Sequence, residues 1–255
     1  MTTTKPTREW FRDWFGEEYL SLYPHRDERE AGQAVALFCD VSSLGPGVRV
    51  LDLACGAGRH LRELRRAGLD ATGLDLSRTL LRSARSSGAT DPLVLGDMRQ
   101  LPFAGAAFEG LTSFFTSFGY FADPADDRRV LREMARVLAP GSAFMLDFLN
   151  AARVRSELVP EDSREVEGKR VVQFREIVDG VVVKRIRIEP LGEGPVRRFE
   201  ERVRLYTCEP LVSLLADVGL TTLHRFGDYR GGSFSDRSPR LILAGRLDSA
   251  GERTA

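Results

Sequence analysis

Two glycines and two aspartates follow short apolar runs of the sequence, in a pattern typical of a nucleoside-binding site. Gly56 and Gly58 follow the run at 48–54, and Asp75 and Asp97 stand at the ends of the next two runs. In a parallel sheet such a turn brings a ligand to backbone N–H groups, and the next carboxylate can accept both ribose hydroxyls. The alternatives are a tight turn without a ligand and acids that are solvated or cap helices.

The glycine turn differs from that of dinucleotide-binding proteins. Their fingerprint requires a third glycine three residues after the second, and Leu61 occupies that position after Gly58. Asp52, on the preceding strand, would repel a diphosphate and could hold a cationic group directly or through water. A ligand that carries an amino group therefore fits better than a pyrophosphate.

Three segments together resemble the motifs of the class I S-adenosylmethionine-dependent methyltransferases. Residues 50–58 (VLDLACGAG) are similar to the family's first motif, 73–77 (GLDLS) to its second and 96–103 (GDMRQLPF) to its third. The resemblance is strong over about residues 45–150 and loose through 246. It implies S-adenosylmethionine as cofactor, held by Tyr23, Arg26, Asp52, Ala54, Gly56, Gly58, Asp75, Leu76, Asp97, Met98 and Phe114.

The resemblance also gives these residues roles. The Gly56 region would lie against the methionine moiety, Asp75 would hold the ribose, and Asp97 with Met98 would border the adenine. Ala54 departs from the family, because many members carry a glycine there. We expect slight crowding from its methyl group and retained binding.

Residues 111–121 occupy the family's fourth-motif position, where acceptor and methyl donor meet. The segment lacks the Asn/Asp-Pro-Pro-Tyr signature of DNA amino-methylating enzymes, which disfavours a nucleobase target. Phe114 and Phe118 would pack on the cofactor or fill the core.

Aromatic residues recur at helical spacing over residues 8–23, before Pro24, and a second helical pattern spans 34–41. The sequence thus predicts two helices before the first strand. The resemblance implies that such helices cover the cofactor cleft, with Tyr23 and Arg26 near the methionine carboxylate. His25 is a candidate catalytic residue there, or part of a surface joint.

The polar loop 229–240 lies between the last two predicted strands, and loops on a rigid scaffold often bind ligands. Tyr229 and Arg240 are therefore candidates for substrate contact or catalysis. The histidines and cysteines have no metal-ligand spacing, so no metal site is predicted.

Strands alternating with helices predict an α/β fold, a Rossmann-like, mostly parallel seven-stranded sheet with helices on both faces and an inserted small antiparallel β-sheet. We divide the chain into an N-terminal helical lid (1–44), a cofactor-binding core (45–150), the antiparallel insertion (151–207) and a C-terminal helix with closing strands (208–247). The insertion looks similar to that of sugar N-methyltransferases and would cover the substrate or form a dimer surface.

Composition restricts the partners. The 37 basic and 37 acidic residues give a formal net charge of +0, which disfavours nucleic acid and anionic membranes. No apolar run approaches a membrane span or a signal peptide, so we expect a cytoplasmic monomer or homodimer.

The expected function is methyl transfer to an O, N or C atom of a small metabolite by in-line displacement. The alternatives are an RNA or protein methyltransferase and a non-catalytic cofactor-binding module.

Overall fold

The structure is a computed structural model that describes residues 9–23, 28–90 and 92–249. Its strands, in chain order, are β1 (Arg49–Leu53), β2 (Asp70–Asp75), β3 (Leu93–Leu95), β4 (Phe108–Ser113), β5 (Leu138–Leu149), β6 (Glu161–Val166), β7 (Lys169–Val178), β8 (Val181–Pro190), β9 (Arg197–Arg204), β10 (Leu220–Phe226) and β11 (Arg240–Leu247). Its helices are α1 (Trp10–Trp14), α2 (Glu17–Leu22), α3 (Glu28–Ser42), α4 (Arg59–Arg66), α5 (Arg78–Ser86), α6 (Pro124–Val137), α7 (Ala151–Glu157) and α8 (Cys208–Ala216).

Within the described ranges, seven strands form one sheet in the order β10-β11-β5-β4-β1-β2-β3. Strands β1 to β5 pair in parallel, whereas β11 is antiparallel to both β5 and β10. Helices cover both faces, since the adjacent residues Val50 and Leu51 belong to separate buried clusters, with Phe38 of α3 and Leu131 of α6 respectively. The predicted mostly parallel, Rossmann-like fold is confirmed.

The strand order places a crevice beside β1. From β1 the chain builds outward to β2 and β3 on one side, and then returns to β4 and β5 on the other. Connections leave in opposite directions at such a point, so a ligand can enter between them at the carboxyl ends of the strands. Asp52 of β1 is level with Gly73 of β2 and Thr112 of β4, near this edge.

Local features explain one helix start and one strand end. Ser77 is an N-cap candidate by residue type, and it caps α5, because its Oγ accepts the Leu80 N–H at 3.1 Å. The apolar pattern predicts a strand over residues 108–115, but β4 ends at Ser113. Phe115 and Thr116 have φ values of 61° and 60°, in the left-handed region, which a strand does not accommodate.

Strands β6 to β9 form a separate four-stranded antiparallel sheet among the described residues. The sequence pattern predicts three strands here, over 170–178, 181–188 and 196–206. They are confirmed as β7, β8 and β9, whereas the pattern missed β6 and α7. One face of this sheet packs on the N-terminal helices, where Trp14 and Leu22 contact a cluster with Val171 and Ile186.

The single helix predicted over residues 8–23 is wrong. The chain forms α1 and α2, separated by Gly16, whose φ of −135° and ψ of −155° are extended rather than helical. Three helical segments therefore precede β1 in the part of the chain that the structure describes. The sequence also predicts a helix that is capped by Thr207 and runs through Val218. Thr207 lies at the N-cap of α8 but makes no side-chain cap hydrogen bond, and α8 ends at Ala216.

No helix in the described ranges has both the length and the apolar character needed to span a membrane.

Candidate functional site

The glycine turn after β1 is tied to the carboxylate that ends β2. Asp75 Oδ2 accepts the Gly56 N–H at 2.8 Å, and Asp75 Oδ1 accepts the Ser77 N–H at 2.7 Å. Burial raises the pKa of Asp75, although the backbone N–H bonds favour its charged form. Each carboxylate oxygen keeps a further lone pair for a ligand hydroxyl.

Left-handed backbone shapes this turn. Ala54, Gly56 and Gly58 have φ values of 60°, 56° and 74°. The conformation costs a residue with a side chain roughly 1 to 2 kcal/mol, which gives a physical reason for the glycine that the resembled family motif carries where this chain has Ala54. Ala54 and Gly56 line the large cavity described below, so the expected binding position of both remains compatible with the structure.

Gly58 has a packing role in this structure. It starts α4 and lies outside the cavity wall. A Cβ built at this position would approach the Ala84 Cβ at 3.1 Å, which is tighter than ordinary contact. Gly58 therefore lets α4 approach α5 closely. In dinucleotide-binding folds the third glycine of the fingerprint has a similar role, because it allows close packing of helix on strand.

Asp52 lies behind the turn and is 1% exposed. Thr112 Oγ1 donates to its Oδ1 at 3.3 Å, while its Oδ2 has no hydrogen-bond partner among the described residues. Burial raises the pKa of Asp52 to about 7, and the nearby Asp75 carboxylate adds to the effect. The group lacks the second partner that a buried carboxylate needs, and a cationic or N–H-bearing ligand nearby would favour its charged form.

Asp97 borders the same cavity with Leu76 and Met98. Its Oδ1 accepts the Arg99 N–H at 2.9 Å, and its Oδ2 accepts from Arg99 Nη2 at 2.6 Å. Burial works against the charged form, but Arg99 lowers the pKa of Asp97 overall. Asp97 is therefore an ionised acceptor at neutral pH.

A cavity of about 1990 Å³ extends from the glycine turn to the small sheet. Its walls come from the carboxyl ends of the parallel strands, from α1, α2 and α7, and from β6 to β9. The N-terminal helices contribute aromatic side chains: Trp10, Phe11, Phe15, Tyr19 and Tyr23. Ser77 Oγ donates to the Phe15 carbonyl at 2.5 Å, which joins the end of α1 to the start of α5.

Phe114 belongs to the core and also reaches the cavity, so its contact with the cofactor stays a prediction. It is 3% exposed and belongs to a buried cluster, yet it lines the cavity. Its ring stacks on His60, with centroids 4.5 Å apart. Phe118 is buried and does not line the cavity, so it belongs to the core.

The polar cluster around Asp147 escaped the sequence analysis. This buried carboxylate, near the end of β5, accepts from Arg240 Nε at 2.5 Å and Arg240 Nη2 at 2.7 Å, from the Tyr229 hydroxyl, and from the Phe115 N–H at 2.6 Å. Burial disfavours the cation, but Asp147 raises the pKa of Arg240 overall. One feature of the sequence could have pointed to Asp147: like Asp75, it is an acid near the end of an apolar run.

The Asp147 cluster holds the two residues of the 229–240 loop that are predicted to contact substrate, Tyr229 and Arg240. Arg240 lines the cavity, whereas Tyr229 is 8% exposed and lies outside the cavity wall, with its hydroxyl bound to Asp147. The network also fixes Phe115, whose backbone is strained, at the end of β4. A substrate contact for Arg240 or Tyr229 stays a prediction.

Two of the predicted site residues, His25 and Arg26, lie outside the described residues. The structure brings most of the others to one cavity: Tyr23, Ala54, Gly56, Asp75, Leu76, Asp97, Met98, Phe114 and Arg240. In the described ranges, no group of three or more His, Cys, Asp or Glu side chains is arranged to hold a metal ion.

Residues 50–141 match a family model described as a methyltransferase domain. The chain is 31% identical over 142 residues to malonyl-[acyl-carrier protein] O-methyltransferase of Erwinia pyrifoliae, covering 55% of this chain and 52% of the relative. It is 34% identical over 118 residues to dTDP-4-amino-2,3,4,6-tetradeoxy-D-glucose N,N-dimethyltransferase of Saccharopolyspora spinosa, covering 46% of each. The chain thus spans about half the length of these curated relatives.

Solved structures share the fold over nearly the whole chain. An S-adenosylmethionine-dependent methyltransferase from Clostridium acetobutylicum superposes with a TM-score of 0.78 at 20% identity, covering 91% of this chain and 98% of that one. A sugar N-methyltransferase from Streptoalloteichus gives a TM-score of 0.72 at 24% identity, covering 98% and 99%. At these identities the likeness establishes the fold.

Proposed function

We propose that this chain is a class I S-adenosylmethionine-dependent methyltransferase and that it transfers the cofactor's methyl group to an O, N or C atom of a small metabolite. The match of residues 50–141 to a methyltransferase-domain model supports this proposal. One observation carries the proposal. The motif residues Gly56, Asp75 and Asp97 line the same cavity as residues of α7 and the small sheet, so cofactor and acceptor have room side by side.

The residues present fit S-adenosylmethionine. The Asp75 carboxylate is oriented by two backbone N–H groups, and the remaining lone pair on each oxygen can accept a ribose hydroxyl. Leu76 and Met98 offer apolar surface for the adenine, and the half-satisfied Asp52 lies behind the turn that would face the methionine moiety. The bound cofactor supplies an electrophilic methyl group on a sulfonium.

The chain contributes mainly position and exclusion of water. Holding two reactants in line can account for much of the rate of a displacement, so an assigned base is not required. The strained backbone at Phe115 and Thr116, held by Asp147, lies in the cavity wall at the fourth-motif position. We assign this segment to acceptor positioning.

The N-terminal helices are proposed as the lid of the cleft. Trp10 and Phe15 of this region pack on Tyr120, with ring centroids 4.9 and 5.9 Å apart, and all three line the cavity. An aromatic cover of this kind would exclude water when closed and would have to open for exchange. The division of the chain proposed from the sequence, with a lid over 1–44 and an insertion over 151–207, is kept as part of this proposal.

A metabolite library, incubated with the chain and S-adenosylmethionine and analysed by mass spectrometry, tests the proposal. We expect one or a few compounds to gain the mass of a methyl group replacing a hydrogen. RNA and protein are added to parallel incubations. A mass gain confined to these incubations would favour an RNA or protein methyltransferase. Cofactor binding without any methylated product in these pools would favour the non-catalytic binding module and would contradict the proposed function.

A further inference from the structure

Four charged side chains cross the small sheet in a row that faces the cavity. Asp162, Arg175, Lys184 and Glu201 lie on β6, β7, β8 and β9, one on each strand, and all four line the cavity wall. The register makes Arg175 and Lys184 direct Cα partners, and Lys184 and Glu201 direct partners as well. The sign of the charge along the row is negative, positive, positive, negative.

The two cations in the middle of the row are the unusual feature. Like charges directly opposite each other on neighbouring strands destabilise a sheet. Each cation has its acidic partner on its outer side: Arg175 Nη1 is 2.6 Å from Asp162 Oδ2, and Lys184 Nζ is 2.5 Å from Glu201 Oε2. The space between the two cations therefore keeps a positive potential that the flanking acids only partly offset.

Partial burial strengthens this potential. The Arg175 and Lys184 side chains are 21% and 19% exposed, so salt screens them less than it screens surface ion pairs. Tyr23 of the N-terminal region adds a hydroxyl to the same wall, since Gln173 Nε2 donates to Tyr23 Oη at 3.5 Å and Gln173 Oε1 accepts from Arg175. Guanidinium, ammonium and phenol groups together suit an oxyanion.

The two ends of the cavity present different arrangements of charge. The cofactor end carries the acids Asp75 and Asp97 among several arginines. The end under the small sheet carries two adjacent cations, Arg175 and Lys184, each with one acid on its outer side. We propose that Arg175 and Lys184 bind an oxyanion, a carboxylate or a phosphate, carried by the methyl acceptor. The inference rests on the proposed function for the identity of its ligand. An acceptor held there by its anionic end directs its other end toward the glycine turn.

Calorimetric titration of the full chain tests this site. The chain is first saturated with S-adenosylhomocysteine and then titrated at low salt with pyrophosphate and, separately, with the dicarboxylate glutarate. The first variant is Lys184→Gln. The matched control is Arg185→Gln, the next residue of β8, which pairs with Glu176 at 2.6 Å and does not line the cavity. The double variant Lys184→Gln/Glu201→Gln removes the whole ion pair without leaving an unpaired acid.

We expect at least one of the two anions to bind the wild-type chain, and its preference separates phosphate from carboxylate. Lys184→Gln and the double variant should weaken binding about tenfold, the loss typical of one charge-assisted hydrogen bond, while Arg185→Gln should not change it. No binding of either anion, or equal affinity in wild type and both Lys184 variants, would overturn the proposal.

The same experiment separates this proposal from the proposed function. S-adenosylhomocysteine binding is measured before the anion is added. If it fails, the proposed function fails, and the anions are titrated into the cofactor-free chain, where a Lys184-dependent signal still supports the oxyanion site. If it succeeds and the anions do not bind, only the oxyanion site is refuted.

Discussion

Replacing Asp75 with alanine tests the cofactor site at the point where the structure is most specific. The carboxylate holds the Gly56 and Ser77 N–H groups at 2.8 and 2.7 Å, and both bonds exist without a ligand. Their loss affects the shape of the turn, whereas the affinity falls mainly through the ribose hydroxyls. Hydrogen bonds to a charged acceptor contribute roughly 1.5 to 3 kcal/mol, and water recovers part of that.

We therefore expect Asp75→Ala to weaken binding by roughly 1 to 3 kcal/mol, which raises the Kd for S-adenosylhomocysteine roughly 5- to 150-fold. Asp75→Asn should be intermediate, because its amide can accept through one oxygen but turns a donor toward the other N–H group. Asp70→Ala, at the opposite end of β2 with its carboxylate 54% exposed, is the control and should bind normally.

Isothermal titration with S-adenosylhomocysteine measures these affinities, and thermal melts establish that each variant is folded. A folded Asp75→Ala chain with the wild-type Kd would remove Asp75 from the site and refute the reasoning about ribose recognition.

Four further predictions follow from the structure. Gly56→Val should abolish S-adenosylhomocysteine binding in a folded chain, chiefly because a branched residue resists the φ of 56°. Crowding within the protein is not the reason, since the nearest atom to an added Cβ, Leu80 Cδ1, is 3.9 Å away. Normal cofactor titration of this variant would refute the motif assignment. Deleting residues 1–24 should leave a cooperatively melting chain with weaker cofactor affinity and no turnover; a full ligand-induced shift in Tm would rule out the lid. Asp52→Asn should raise Tm relative to wild type at pH 8 and raise it less at pH 5. The pKa of Asp52 is about 7 in the folded chain and 3.8 ordinarily, so wild-type stability falls as pH rises between these two values. A difference in Tm that does not depend on pH would contradict this prediction. Arg240→Gln should lose roughly 3 to 5 kcal/mol of stability, because Asp147 stays buried without its cation. Arg246→Gln should lose much less, since the partners of Arg246 in the described ranges are two backbone carbonyls. Equal melting temperatures of the two variants would refute the role of the Arg240–Asp147 pair.

The parts of the site that the sequence predicted depend on local order along the chain. Asp75 ends a strand of the parallel sheet, and Gly56 and Asp97 each follow one, so the carboxyl ends of the strands bring the three residues to one edge. Alternation of apolar runs with helical patterns is enough to predict that arrangement.

The parts that were missed depend on contacts between distant residues. Asp147 accepts hydrogen bonds from Tyr229 and Arg240, which are 82 and 93 positions away in the sequence. Hydrophobic periodicity predicts local helices and strands and does not predict contacts over such separations. Strand β6 has five exposed residues out of six and no apolar face, since it lies at the edge of the small sheet. The break at Gly16 escaped notice because the aromatic spacing continues across it.

Methyl transfer is tested most directly by incubating the wild-type chain with S-adenosylmethionine labelled in its methyl group and a pool of small metabolites. S-adenosylhomocysteine and labelled product are then quantified together. We predict that the two appear in equal amounts and that Asp75→Ala lowers both in parallel when the cofactor is kept near the wild-type Kd. Measured cofactor binding with the label retained on S-adenosylmethionine, and no S-adenosylhomocysteine above the protein-free rate, would contradict the account.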